Sequence, residues 1–143
     1  MIDLAKYTKE FSELLGSSHN ILLISHINPD GDAIGSQIAL YRYLSGQGRK
    51  VEMMCPNNLQ EFLKWMDGSD RINVFIRKRK KCKQLIENAG LIVMLDFNQP
   101  NRLGEAESFV VSSRAKKVII DHHLEPLDFA DLLISDPSKC STA

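Results

Sequence analysis

The chain has 143 residues, with 18 lysines and arginines against 18 aspartates and glutamates. That is the size of one domain with a real core, and the balance gives no overall charge to draw it to nucleic acid or an anionic membrane. Its three cysteines, Cys55, Cys82 and Cys140, are odd in number and far apart, which argues against a disulfide framework or a zinc knuckle. The opening MIDLAKYTKEFSELLGSSHN carries acidic and polar residues throughout and no stretch approaches about 20 apolar residues, so a soluble cytoplasmic protein is expected.

In chain order, Ile2, Leu4, Tyr7, Phe11, Leu14 and Leu15 recur at mostly three- and four-residue intervals and stop at Gly16, which predicts an amphipathic helix. Ile21 to Ile24 is a short apolar run suited to a strand buried on both faces, and it empties into His26-Ile27-Asn28-Pro29-Asp30-Gly31-Asp32. Ala33, Ile34, Ile38, Tyr41 and Leu44 mark the inner side of a helix over 33–46, closed by Gly46 and Gly48. Lys50 to Cys55 reads as a strand, Leu59 to Trp65 as a short helix, and a polar, basic helix ends near Ala89-Gly90. Leu91 to Leu95 is a buried strand ending in Asp96. A helix carrying Leu103, Ala106, Phe109 and Val110 follows, then a strand, Val118 to Ile120, ending in Asp121-His122-His123. A last apolar run, Leu132 to Ile134, leads to Asp136-Pro137. Strands alternating with helices predict an α/β fold in one domain over 1–143: an open, doubly wound, mainly parallel sheet with helices on both faces.

In such sheets ligands bind outside the carboxyl ends of the strands. Those ends present His26, Asp30, Asp32, Asp96, Asp121, His122, His123 and Asp136 without a compensating lysine among them. So many anionic groups in one crevice repel one another unless cations sit between them. Oxygen and imidazole ligands without thiolate favour manganese or magnesium, manganese first, with iron, cobalt or zinc as further alternatives. Six or more candidate ligands suit two divalent ions sharing a carboxylate, an arrangement built for phosphoryl transfer. Asn28, Pro29 and Gly31 favour a tight turn in which His26, Asp30 and Asp32 converge, Gly31 being the residue free to take positive φ. The amino end of the 33–46 helix would face a phosphate with free N–H groups, and Ser36 with a hydroxyl.

HINPDGDAIGS at 26–36, LDFNQPNRLGE at 95–105, DHH at 121–123 and DPSKCSTA at 136–143 stand in order. With them, residues 20–143 resemble the DHH superfamily of phosphoesterases, and within it the nanoRNase/pAp phosphatase branch. The resemblance implies that His26, Asp30 and Asp96 hold one metal, that Asp32, Asp96, His122 and Asp136 hold the other, and that Asp96 bridges them. It gives Asp121, His122 and His123 to catalysis or to support of the ligands, with His123 suited to contact a phosphate oxygen or assist the leaving group and Asp121 to orient its neighbours. The second motif departs from the usual small-hydroxyl pattern, reading Phe97-Asn98-Gln99-Pro100-Asn101 before Arg102. Family members continue into a smaller C-terminal domain with a glycine-rich, histidine-containing substrate-binding motif, to which nothing in this sequence corresponds. The expectation is therefore a catalytic half whose uncovered crevice favours a homodimer.

The other groups have plainer readings. Arg77 to Lys81, with Lys83, reads as a solvated helix face before a phosphate-binding one. Phe62 and Trp65 read as core or a partner-facing patch before a base-stacking pair, His19 as surface, and Arg102 equally as a phosphate ligand or a solvated side chain. The implied activity is metal-dependent hydrolysis of short RNA or 3′,5′-bisphosphonucleotides. The alternatives are a RecJ-type single-strand exonuclease, a cyclic dinucleotide phosphodiesterase, a pyrophosphatase, or a non-catalytic metal-binding module.

Overall fold

The computed structural model describes residues 4–143. It forms a six-stranded sheet in the order β3-β2-β1-β4-β5-β6, with every neighbouring pair parallel. The strands are β1 (Asn20–Ser25), β2 (Lys50–Cys55), β3 (Asn73–Val74), β4 (Leu91–Leu95), β5 (Lys116–Asp121) and β6 (Leu132–Ser135). The helices are α1 (Leu4–Gly16), α2 (Gly31–Gly46), α3 (Arg79–Asn88) and α4 (Glu107–Val111). Ile2, assigned from sequence to the first helix, lies outside the described residues.

The apolar runs alternate across the sheet because successive side chains leave a strand on opposite faces. Ile21, Leu23, Met53, Leu91, Val93 and Val118 pack with Leu15 of α1 and Ile34, Ile38 and Leu44 of α2. Leu22, Ile24, Met54, Ile92, Met94 and Ile119 pack on the other face with Cys82 and Ile86 of α3 and Val110 of α4. Burial on both faces explains why β1 and β4 read as unbroken apolar runs rather than alternating ones. Among the described residues no helix is long and apolar enough to cross a membrane.

Three elements differ from the sequence expectation. Leu59 to Trp65 holds only a 3-10 turn at Glu61–Leu63: Leu63 is buried and Leu59 packs partly against the core, while Phe62 and Trp65, three residues apart, are both exposed. The helix expected through Leu103 and Val110 is broken: Pro100–Ala106 is a 3-10 segment kinked at Gly104 (φ 54°, ψ −133°), and α4 begins only at Glu107. The two-residue strand β3 was not expected. Its buried Asn73 is held by Nδ2 donating to the Met53 carbonyl at 3.0 Å.

The edge strand β6 is pinned through Asp131, whose backbone N–H donates to the Lys117 carbonyl. Its carboxylate accepts from Lys116 Nζ at 2.7 Å and from the Lys117 N–H at 2.8 Å. Burial works against the charged carboxylate, but Lys116 and the Lys117 N–H outweigh it and hold the Asp131 pKa below its ordinary value. A depressed folded-state pKa stabilises the fold above the unfolded carboxylate value and loses that effect as pH falls through the folded one. Asp131→Asn should therefore lower the melting temperature by about 2 °C at neutral pH, for a partly exposed pair in a domain this size. The difference should shrink steadily as the pH is lowered below the ordinary carboxylate range (scanning calorimetry across an acid pH series); a deficit independent of pH would assign the effect to packing.

Candidate metal centre

Sequence-adjacent strands run outward from β1 to β3 on one side and from β4 to β6 on the other, so the winding reverses between β1 and β4. Connections diverge there and leave a crevice at the strands' carboxyl ends. The crevice collects His26, one residue beyond β1, Asp96, one residue beyond β4, and Asp121 at the end of β5 with His122 and His123 after it.

Asp96 stands at the centre, with its side chain 1% exposed. Its two oxygens face different histidines: Oδ2 lies 3.6 Å from His26 Nε2, and Oδ1 lies 3.5 Å from His122 Nε2. His122 Nε2 is also 3.5 Å from Asp32 Oδ2, and His26 Nε2 is 4.0 Å from Asp30 Oδ1. Two groups of potential ligand atoms result, His26–Asp30–Asp96 and Asp96–His122–His123, each with its atoms within 4.8 Å of one another and sharing Asp96. The backbone of Asp96 is left-handed (φ 68°), a conformation that costs a non-glycine residue about 1–3 kcal/mol and is kept where the surroundings demand it.

The histidines are oriented from behind. His122 Nδ1 donates to the Lys139 carbonyl at 3.1 Å, which leaves Nε2 a bare lone pair facing the carboxylates. At His26 Nδ1 two contacts compete: the Ile27 carbonyl at 2.7 Å can only accept, and the Arg102 guanidinium at 3.2 Å can only donate. The shorter contact puts the proton on Nδ1 and again frees Nε2. Burial of the His26 ring opposes a charge, yet Asp96 and the Ile27 carbonyl outweigh it and raise its pKa. The cluster thus attracts positive charge.

These residues fit divalent cations. Gaps of 3.5 and 3.6 Å are too long for N–H···O hydrogen bonds, which cluster at about 2.9–3.0 Å. Atoms sharing one ion at roughly 2.1–2.3 Å in adjacent octahedral positions stand about 3 Å apart, so small closures suffice. The donors are oxygen and imidazole nitrogen, and the buried cysteines lie in the core clusters instead.

Asp30 caps α2, its Oδ1 accepting the Ala33 N–H at 3.0 Å, so part of the N–H set expected to face a phosphate is already taken. Positive φ in this loop falls on Asn28 (50°), not on Gly31, which opens α2; Asn28 is clamped by Asn57, which accepts its N–H at 2.7 Å and donates to its Oδ1 at 2.6 Å. Ser36 turns its hydroxyl toward Asp32 Oδ1 at 3.4 Å. Asp121, its side chain fully buried, accepts the His123 N–H at 3.0 Å and faces His123 Nδ1 at 2.7 Å. Asp136 is not brought into either ligand group. Its Oδ1 accepts from the Ser138 hydroxyl at 2.6 Å and N–H at 3.1 Å, and these bonds lower its pKa.

Arg102 and His123 line one cleft of about 230 Å³ with Asp96, Asn98 and Leu124. Asn98, which sequence reasoning did not single out, donates from Nδ2 to the His123 and Leu124 carbonyls at 3.1 Å each and fixes the exit of the histidine loop. His19 is exposed. Half of the basic run is engaged at the surface: Arg77 bonds Asn58, Arg79 pairs with Glu105, and Lys83 lies over the Phe109 ring.

The model of the DHH family, N-terminal domain, matches residues 20–143. The chain belongs to the DHH family. A bifunctional oligoribonuclease and PAP phosphatase NrnA from Thermus thermophilus is 31% identical over 128 residues, covering 86% of this chain and 34% of that protein. The protein of the same name from Mycoplasma pneumoniae is 29% identical over 104 residues, covering 72% of this chain and 30% of that protein. The crystal structure of an exopolyphosphatase-related protein from Bacteroides fragilis superimposes with a TM-score of 0.95 at 38% identity, over 99% of this chain and 42% of that one. A Sir2 structure bound to acetylated peptide shares the fold alone, with a TM-score of 0.53 at 13% identity over 88% of this chain and 91% of that one. The chain therefore spans about a third of the length of the curated DHH relatives it matches.

Proposed function

We propose that this DHH domain is a cytoplasmic, metal-dependent phosphoesterase that hydrolyses short oligoribonucleotides, 3′,5′-bisphosphonucleotides, or both, with two divalent ions, manganese preferred. The observation that carries the reading is the bifacial carboxylate of Asp96, one oxygen toward His26 and the other toward His122. His26, Asp30 and Asp96 would hold one ion, and Asp32, Asp96 and His122 the other; Asp136 would join by turning out of its bonds with Ser138. Ions bound there would supply Lewis acidity toward phosphate oxygens and lower the pKa of water near the reacting phosphorus.

The remaining work falls to the chain's own groups. His123, hydrogen-bonded through Nδ1 to Asp121, presents Nε2 to the cleft, where it can donate to a phosphate oxygen or to the departing oxygen. Arg102 shares that cleft and offers a planar fork of donors to a phosphate that is not being cut. The names of the two NrnA relatives supply the substrate classes.

The test is hydrolysis of a labelled diribonucleotide and of 3′,5′-bisphosphoadenosine by the purified chain with Mn²⁺, beside an Asp121→Ala, His122→Ala control. Metal-dependent turnover that disappears in the control is expected, and the two rates rank the substrates. Two bound Mn²⁺ without turnover of either substrate would favour a metal-binding module instead.

A further inference from the structure

Beyond the strand-end histidines and aspartates, one residue far along the chain grips the centre. Thr142 donates its hydroxyl to Asp96 Oδ1 at 2.8 Å, and its backbone N–H lies 2.9 Å from Asp32 Oδ2 and 3.1 Å from Asp32 Oδ1. The Ala143 N–H adds a bond to Asp32 Oδ1 at 2.9 Å. Both carboxylates held by Thr142 are those facing His122 Nε2, and the oxygens involved include the two that stand 3.5 Å from it.

We infer that Thr142 is a positioning residue for the His122-side cation: its hydroxyl locks the rotation of the Asp96 carboxylate while its backbone N–H sets Asp32. This rests on the two-ion reading above. A carboxylate oxygen has two in-plane lone-pair directions, so Oδ1 can accept the hydroxyl through one and keep the other for a cation. The terminal torsion of aspartate is broad and roughly two-fold, and among the described residues the Thr142 hydroxyl is the hydrogen-bond donor seated on Oδ1. On the other side, Oδ2 faces His26 and makes no bond with Thr142. The effect should therefore be one-sided.

Outer groups that orient metal ligands typically change affinity about 10–100-fold. Thr142→Val keeps the shape and the backbone N–H and removes only the hydroxyl. In calorimetric titration of the full chain with Mn²⁺, the variant should weaken one of two binding events about tenfold or more. The other event should be unchanged, and Thr142→Ser should restore wild-type binding. In a His122→Ala background, which removes the affected site, adding Thr142→Val should change nothing further. The metal-free melting temperature of each variant reports folding separately. Wild-type affinity at both sites in Thr142→Val, or equal weakening of both, would overturn the inference while leaving two-ion binding intact. A wild-type chain that binds no Mn²⁺ would overturn the two-ion reading and this inference together.

Discussion

Asp96→Ala is expected to lose both Mn²⁺ ions in one step, whereas His26→Ala and His122→Ala should each lose one. The asymmetry follows from geometry, since each histidine faces a single oxygen of Asp96 while the aspartate serves both. Folding should survive the change. Alanine tolerates φ 68° somewhat less well than aspartate, a modest cost, and the variant removes a buried charge along with its bond from Thr142. The metal-free protein should accordingly melt within a few degrees of wild type, by the usual conversion of about 1 kcal/mol to 2–4 °C at this size. Turnover should fall with the ions. Metal content after dialysis, measured by inductively coupled plasma mass spectrometry, decides the matter: an Asp96→Ala chain retaining two ions would remove the bridging role, and one retaining a single ion would confine Asp96 to one side.

Two of the strands that bear the site were legible because each is buried on both faces. The short apolar runs at 21–24 and 91–95, each of strand length, read as central strands, and a polar group directly beyond such a strand lies at the crevice. Elements at the margins were harder. The strand at 73–74 is too short to show a period of two, and its inward residue is an asparagine held by hydrogen bonds rather than an apolar side chain. The strand at 116–121 begins with two lysines, but Lys117 is buried and donates from Nζ to the Ser113 and Ala115 carbonyls, so its charge disguised an inward position. The expected helix at 103–110 had the right spacing. Gly104, whose φ of 54° leaves a hypothetical Cβ only 3.1 Å from Ile27, breaks it so that the segment packs beside the first metal loop.

At the site, the titratable residues announced themselves by type and position, whereas their supports did not. Thr142 and Asn98 carry no charge, and their value lies in which oxygen they meet, across 46 residues from Thr142 to Asp96 and 25 from Asn98 to His123. Asp136 shows the converse. Its place after a strand matched the pattern, yet a serine two residues on supplies local donors that engage its carboxylate.

The second large effect is expected at the Asp121–His123 pair, and it separates chemistry from metal binding. His123 is half exposed, while Asp121, its partner, is fully buried at the strand end and supplies two acceptors, one to the ring Nδ1 and one to the backbone N–H. That pairing fixes the proton on Nδ1 and the ring's direction. His123→Ala should reduce kcat by about 10²–10⁴, the range for losing a positioned acid or base, with both ions retained. Asp121→Asn keeps the volume but offers one acceptor where two are needed, so either the ring or the loop backbone loses its partner. Its kcat should fall about 10–100-fold. Because Asp121 acts through His123, adding Asp121→Asn to His123→Ala should cost far less than the product of the single losses. Full multiplicative loss in the double variant would show that Asp121 acts independently of His123. Loss of Mn²⁺ from His123→Ala would make that histidine a ligand rather than a proton donor.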